Sequence, residues 1–231
     1  MLSVVIPAYN ESAYLEATVR EIHDGLVSRG GPFELVVVEN GSLDDTHHVA
    51  QVLADRYDEV GAQSLERADY GAALRAGLLA ARGDVVACFD ADYYDLDFLD
   101  EALGRLAESD VVVGSKRAAG SVDTRPFPRR VVTAVFGAAL RLGFGLEVSD
   151  THGMKALRRD AVVDLVPRCI FDGDLFDTEL VIRAGRAGYR VVELPVIVSE
   201  RRPARTSVWS RAPRALIGLV RLRLVLRRES R

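Results

Sequence analysis

Asp84-Val85-Val86-Ala87-Cys88-Phe89-Asp90-Ala91-Asp92 is an apolar run closed by two carboxylates. A short, continuous, β-branched run of this kind reads as a strand buried on both faces. Similar runs flank it: residues 2–7, residues 34–39 (Glu-Leu-Val-Val-Val-Glu) and residues 110–115 (Asp-Val-Val-Val-Gly-Ser). Between them, residues 11–27, 44–57, 68–82 and 97–106 carry apolar side chains at helical spacing. Asp44 and Asp45 stand where carboxylates favour the positive end of a helix dipole. Continuous apolar strands alternating with helices predict an α/β fold, a mostly parallel central sheet flanked by helices on both faces. Ligands bind such sheets at the carboxyl ends of the strands. The segments to inspect are therefore 7–11, 39–45, 90–95 and 115–117.

The second half is less regular. Residues 120–128, with two prolines, read as a loop, and 129–142 as a mostly apolar helix. Residues 150–159 turn into a short strand, 175–187 read as a helix and 190–198 as a strand. Residues 213–228 show a helical pattern of Leu, Ile and Val broken by arginines. No internal repeat is present.

The length of 231 residues suits one domain with a small appendage. The net charge of −4 is unevenly spread: residues 201–231 hold ten arginines against one acidic residue, Glu229. A basic tail on an acidic body points to a local anionic partner, a phospholipid surface or a phosphorylated acceptor, and not to nucleic-acid binding. Cys88 sits in an apolar run and reads as a buried thiol. Two cysteines without ligand spacing make neither a disulfide framework nor a zinc site, and suit a reducing cytoplasm. The chain opens on a strand, not a signal peptide, and no stretch approaches the ~20 apolar residues of a bilayer span.

Asp90 and Asp92, spaced i, i+2 at the end of a strand, suit a shared hard cation. Mg²⁺ and Mn²⁺ prefer such oxygen ligands, completed by substrate phosphates. Two solvated loop aspartates are the plainer alternative. Glu39, at the end of the second strand, suits hydrogen bonds from a base or ribose, and Gly41 permits a tight turn. Tyr9 suits stacking on a base. His47 and His48 are adjacent on a helix and do not share a face, which disfavours metal binding. No Gly-rich dinucleotide fingerprint follows the first strand.

Three stretches together carry a resemblance: Val4-Val5-Ile6-Pro7-Ala8-Tyr9-Asn10-Glu11, Glu39-Asn40-Gly41-Ser42-Leu43-Asp44-Asp45-Thr46, and Asp90-Ala91-Asp92. Their order and spacing resemble the signatures of family 2 glycosyltransferases with the GT-A fold. Later segments resemble the polyprenyl-phosphate (dolichol-phosphate) sugar transferase branch: Gly114-Ser115-Lys116-Arg117, Arg129-Arg130 with Thr133, Asp150-Thr151-His152-Gly153-Met154-Lys155, Phe176-Asp177-Thr178-Glu179-Leu180, and Gly188-Tyr189 leading to Glu193-Leu194-Pro195-Val196.

The resemblance implies a metal-dependent, inverting sugar transfer from a nucleoside-diphosphate sugar to polyprenyl phosphate. It implies a catalytic domain over 1–200, with a donor half (1–117) and an acceptor half (118–200), and a basic closing segment and amphipathic helix over 201–231. Pro7, Tyr9, Glu11, Glu39 and Ala91 would line the donor pocket. Asp90 and Asp92 would hold Mg²⁺ or Mn²⁺ and the diphosphate, and Arg202 would close over the donor. Arg117, Arg130 and Thr133 would receive the acceptor phosphate. The pattern departs from the family at Glu39-Asn40 for the usual Asp-Asp, Tyr93-Tyr94 for Leu-Gln, Thr133 for Ser, and Val208 for a common lysine.

An alcohol acceptor needs a general base, whereas a phosphate monoester is already an anion and needs positioning and charge compensation. Asp177 is either that base or a group anchoring a helix start, with Glu179 making structural hydrogen bonds. Arginines at 117, 129 and 130 favour an anionic acceptor, since a guanidinium grips a phosphate through two parallel bonds. The alternatives are transfer to a soluble hydroxyl and a catalytically silent nucleotide-sugar-binding protein. The expected location is cytoplasmic, peripheral on the inner membrane face through the arginine-rich tail. Residues 131–142 read as a helix packed on the domain.

Overall fold

In the computed structural model, residues 1–118, 120–123, 127–146, 148–198 and 208–229 are described, without the side chains of 122, 123, 128, 129, 174, 197, 198 and 208–214. Arg202 lies outside the described residues, as do the side chains of Arg129 and Val208.

Strand and helix alternate through the first half: β1 (Leu2–Ala8), α1 (Leu15–Arg29), β2 (Phe33–Asn40), α2 (Thr46–Arg56), β3 (Val60–Leu65), α3 (Tyr70–Ala80), β4 (Val85–Cys88), α4 (Leu96–Arg105) and β5 (Val111–Ser115). The second half adds β6 (Val122–Asp123), α5 (Phe127–Phe144), β7 (Lys155–Arg158), α6 (Arg159–Val162), α7 (Phe176–Arg186), β8 (Val191–Pro195), β9 (Ile197–Val198) and α8 (Val208–Glu229). Seven strands form one sheet in the order β3-β2-β1-β4-β7-β5-β8. The pairs β1–β2, β1–β4, β2–β3 and β5–β8 are parallel, and β7 runs antiparallel to both β4 and β5. The segment after residue 117 thus supplies two strands to the same sheet. Strands β6 and β9 form a separate two-stranded parallel ribbon.

Because alternate side chains point to opposite faces, each strand fills two cores. Val5, Val36, Val38, Val86 and Cys88 pack toward α3, α5, α7 and α8, represented by Leu74, Leu140, Leu180 and Leu222. Val4, Ile6, Leu35, Val37 and Phe89 pack toward α1, α2 and α4, represented by Ile22, Leu53 and Leu99. Cys88 and Cys169 are buried free thiols, and burial pushes each up to about 12. Neither is therefore available as a thiolate at neutral pH.

Two expectations are corrected. Strand β3 is absent from the sequence reading because Val60-Gly61-Ala62-Gln63-Ser64-Leu65 lies at the sheet edge, half solvated and without an apolar run. The expected loop 120–128 contains β6 and the first two residues of α5, where Pro128 suits the opening of a helix. Apart from these, one face of the arginine-rich tail helix packs on the domain: Leu219, Leu222 and Leu226 are buried in the core. Glu229 accepts from Arg183 Nη1 and Nη2 at 2.8 and 3.1 Å, and Arg183 Nε donates to Glu179 Oε1 at 2.8 Å. Glu179 Oε2 also accepts from the Ile170 and Phe171 amides, both at 2.8 Å, which is the structural role expected of it. Among the described residues, no helix is long and apolar enough to cross a membrane.

Candidate active site

The sheet register brings the carboxyl ends of β1, β2 and β4 together, with Ala8 opposite Glu39 and Val5 opposite Cys88. Antiparallel β7 contributes its beginning to the same edge, since Lys155 stands opposite Cys88. Pro7, Tyr9, Glu11, Glu39, Asp90, Ala91 and Asp92 therefore cluster at one rim, as the sequence predicts.

At this rim, the β1–α1 and β2–α2 loops are latched to each other. Asp44 accepts from Ser12 Oγ at 2.8 Å, from the Ser12 and Thr46 amides at 3.3 and 3.0 Å, and from Thr46 Oγ1. Asn10 reciprocates: its amide donates to Ser42 Oγ, and its Oδ1 accepts from the Leu43 amide at 2.8 Å. Asn10 adopts φ 54°, which an Asn tolerates better than a branched residue. Gly41 has φ +66°, and a Cβ there would stand 2.8 Å from the backbone of Arg67, so the turn requires glycine. The Thr46 hydroxyl also accepts from the Glu11 amide at 2.7 Å. Glu39 is 3% exposed; its carboxylate accepts from the Ser42 amide and from Ser64 Oγ, and His47 Nδ1 lies 3.7 Å away. Burial raises its pKa, but these hydrogen bonds outweigh burial and hold it below the usual carboxylate value. Glu39 is thus an ionised acceptor braced by its own loop and by β3.

Asp44 supports a pH prediction. Burial pushes its carboxyl up, but the Thr46 and Ser12 donors prevail and bring it from 3.8 to about 2. A depressed folded-state pKa stabilises the fold above the unfolded value, and this contribution is lost as pH falls through the folded one. The stability difference between wild type and Asp44→Ala, measured by urea unfolding, is expected to be constant above pH 5. It should shrink as pH falls from 4 toward 2.

At the centre, Asp90 ends β4 and Tyr70 Oη donates to its Oδ1 at 3.1 Å. Reciprocal backbone bonds of 3.1 Å between Asp90 and Tyr93 close a tight turn around Ala91 and Asp92. The Ala91 carbonyl accepts from Thr18 Oγ1 at 2.6 Å, which fixes the turn to α1. Asp95 caps α4 by accepting from the Asp97 and Phe98 amides. Behind Asp90 lies a buried ion pair: Lys155 Nζ is 3.0 Å from Asp177 Oδ2 and donates to the Gly153 carbonyl at 2.8 Å. The two side chains are 0% and 1% exposed. Among the described residues, neither Asp177 oxygen takes a well-directed hydrogen bond, and Lys155 is the cation paired with it. Asp177 does not cap α7, whose preceding residue Leu175 makes no side-chain cap bond either.

The electrostatics at this rim are unbalanced. Burial raises the Asp90 carboxyl, Lys155 opposes that, and the negative charges of Asp177 and Asp92 raise it further. For Lys155, burial favours the neutral amine, but Asp177 and Asp90 outweigh it and keep the ammonium charged. One lysine thus serves Asp177, while Asp90 sits among the negative charges of Asp177 and Asp92. Two carboxylates held on one tight turn, hard oxygen donors, fit Mg²⁺ or Mn²⁺, which binds through one or two carboxylates plus substrate phosphates. Among the described residues, no group of three or more His, Cys, Asp or Glu side chains forms a self-sufficient metal site.

Beyond β5, Arg117 and, on α5, Arg130 are exposed, and Arg117 Nη1 reaches the Arg130 carbonyl at 3.5 Å. Thr133 follows one turn after Arg130 on α5 and shares its face. The next turn places Phe136 against His152, with ring centroids 5.5 Å apart. A Cβ at Gly137 would stand 2.7 Å from the Ser149 carbonyl, so α5 can approach this loop only with glycine there. Glu193 holds the loop, accepting from the Ser149 and Asp150 amides and from Ser149 Oγ. Asp150 in turn accepts from the His152 amide at 3.1 Å, and His152 Nδ1 lies 3.8 Å from its Oδ1.

Comparison with known proteins decides the family. The family model described as "Glycosyl transferase family 2" matches residues 3–166. The chain belongs to glycosyl transferase family 2. It is 36% identical over 202 residues to the glycosyltransferase AglD of Haloferax volcanii, covering 84% of this chain and 32% of AglD. It is 30% identical over 213 residues to the dolichyl-phosphate beta-glucosyltransferase ALG5D of Trichomonas vaginalis, covering 84% and 64%. This chain therefore spans about a third of the first relative and just under two thirds of the second. Among solved structures, the glucosyl-3-phosphoglycerate synthase of Mycobacterium tuberculosis, in complex with Mn²⁺, uridine diphosphate and phosphoglyceric acid, superposes with a TM-score of 0.73. The identity is 22%, over 96% of this chain and 78% of that one. The fold is thus GT-A.

Within this family 2 chain, sequence reasoning missed three devices. Lys155 lies inside a quoted motif, yet its signal is a lysine in the apolar strand Met154-Lys155-Ala156-Leu157, which must find a carboxylate. Tyr70 carries no local signal. Arg75 on α3 gathers the 166–172 segment, donating to the Val166, Cys169 and Phe171 carbonyls and to Asp172 Oδ1 at 2.8–3.1 Å. Its guanidinium also stands 5.0 Å from the Phe176 ring, beside Asp177 in sequence.

Proposed function

We propose that the protein transfers a sugar from a nucleoside-diphosphate sugar to polyprenyl phosphate, with Mg²⁺ or Mn²⁺ held by Asp90 and Asp92. The observation that carries this reading is the pair of carboxylates at the end of β4, where burial and neighbouring negative charge raise the Asp90 carboxyl beside a lysine paired with Asp177. The metal would neutralise the diphosphate as it leaves. Glu39, Tyr9, Pro7 and Glu11 form the nucleoside end of the site, and Ala91 sets the turn between the two metal ligands. Arg202 is proposed to close over the donor.

The acceptor phosphate is received by Arg117, Arg130 and Thr133. Its oxygen attacks the anomeric carbon from the face opposite the nucleoside diphosphate, with inversion, and no proton need be removed from an anion. Asp177 then serves as the fixed counter-ion of Lys155. With a hydroxyl acceptor it would be the candidate base. Relatives named for dolichyl phosphate and undecaprenyl phosphate support the lipid acceptor. The neighbour bound to phosphoglyceric acid and Mn²⁺ supports a second reading, a soluble phosphate-bearing acceptor. In the first case the protein works peripherally at the inner face of the membrane.

The test is the partition of labelled sugar after incubation with donor, metal and each acceptor class. Label in the organic phase supports polyprenyl phosphate; label only in aqueous product replaces it with the soluble acceptor.

A further inference from the structure

Helices α5 and α8 each present a row of apolar side chains that the fold leaves uncovered. On α5, Phe127, Val131, Val135, Ala138 and Leu142 are exposed, Phe127 by 73% and Leu142 by 85%. Their spacing of three to four residues aligns them in one stripe. On α8, Leu216, Ile217, Val220 and Leu224 are exposed, while Leu219, Leu222 and Leu226 of the same helix are buried. The two helices pack against each other, and a Cβ on Gly143 of α5 would meet Arg223 of α8 at 3.8 Å. Single exposed leucines are ordinary on a soluble protein, but aligned rows on two neighbouring helices mark an interaction surface.

The charges flanking these rows have one sign. Arg130 and Arg141 on α5, and Arg221, Arg223, Arg227 and Arg228 on α8, are exposed. The acidic side chain described on these two helices, Glu229, is bound to Arg183. An apolar stripe edged by guanidinium groups matches the boundary of an anionic bilayer, where phosphates lie above acyl chains.

We propose that the α5–α8 face docks in the plane of an anionic lipid surface. The sequence alone assigns this contact to the arginine-rich tail and leaves 131–142 as a packed helix; the exposed stripe makes α5 an equal part of it. Another face of α5 carries Phe136 against His152 of the 149–153 loop, so docking holds that loop near headgroup level. This orientation rests on the lipid-acceptor reading above; the docking itself does not.

The experiment is co-sedimentation of the full chain with vesicles of phosphatidylcholine alone or mixed with phosphatidylglycerol, without donor or acceptor, at low and high salt. Wild type is expected to bind the anionic vesicles, and about tenfold less at high salt or on neutral vesicles. Val135→Glu/Leu142→Glu should reduce binding at least about tenfold with an unchanged melting temperature, since both sites are exposed. Val27→Glu, one of the same substitutions placed at an exposed position of α1, should bind as wild type. The proposal is overturned if wild type stays in the supernatant with anionic vesicles or if the double variant binds equally. It is also overturned if wild type is a dimer that the double variant dissociates, which would make the face a self-association surface. Turnover on a short-chain polyprenyl phosphate dispersed in detergent is measured separately, so loss of docking and loss of transfer are distinguishable.

Discussion

Asp90→Asn is expected to reduce metal-stimulated sugar transfer on the order of 10³-fold, the effect of losing roughly 4 kcal/mol of charge stabilisation in the transition state. The same substitution should raise the melting temperature of the metal-free protein at pH 7. Burial and the neighbouring Asp177 and Asp92 charges lift the Asp90 pKa in the fold. A group whose pKa is raised on folding destabilises the fold once pH exceeds its ordinary value, because its charged form is the disfavoured one. Asparagine removes that charge and keeps an Oδ1 for the Tyr70 hydroxyl. Asp92→Asn should lose turnover comparably while remaining folded by circular dichroism. Parallel melting curves and nucleotide-release rates check both variants. Wild-type turnover in either one would remove the metal assignment.

The second large effect concerns the buried pair. Lys155→Met leaves the Asp177 carboxylate buried without a cation, which typically costs about 3–5 kcal/mol. For a chain of this size that corresponds to a fall in melting temperature of roughly 6–20 °C. Lys155→Met/Asp177→Leu removes both charges and should recover most of the loss, because an apolar replacement of a buried pair is often neutral or stabilising. The double variant also separates two roles for Asp177. If the acceptor is a phosphate, its turnover should remain within about tenfold of wild type, since no general base is needed. A loss of about 10²–10⁴-fold in a stable double variant would identify Asp177 as a base.

How much of this was legible in the sequence depends on the range of the interaction. Strands β1, β2, β4 and β5 are readable because strands covered on both faces are written as unbroken apolar runs. The same pattern places Asp90 and Asp92 at a ligand-binding rim before any coordinate is known. Strand β3 is not readable, because one edge and much of its surface face solvent, so no run is required. The Lys155–Asp177 pair depends on β7 turning back antiparallel between β4 and β5, a topology that no local pattern specifies. The Asp44 latch similarly joins two loops that become neighbours only when β1 and β2 pair. Residues 131–142 read as a helix packed on the domain, and Leu140 is indeed buried in the core, but which face of the helix stays open is not legible for a related reason. Its apolar residues suit a packed helix equally well, and only the position of α8 decides which of its faces remains open.

The most direct test of the central claim is acceptor-dependent nucleotide release from a panel of nucleoside-diphosphate sugars, with Mg²⁺, Mn²⁺ or excess chelator. Polyprenyl phosphate, 3-phosphoglycerate and no acceptor form the three arms. The account predicts release with one donor that requires metal, stops with chelator, and is stimulated by the lipid phosphate. Release that is indifferent to chelator, or no transfer with any donor and acceptor, would contradict metal-dependent glycosyl transfer at Asp90 and Asp92.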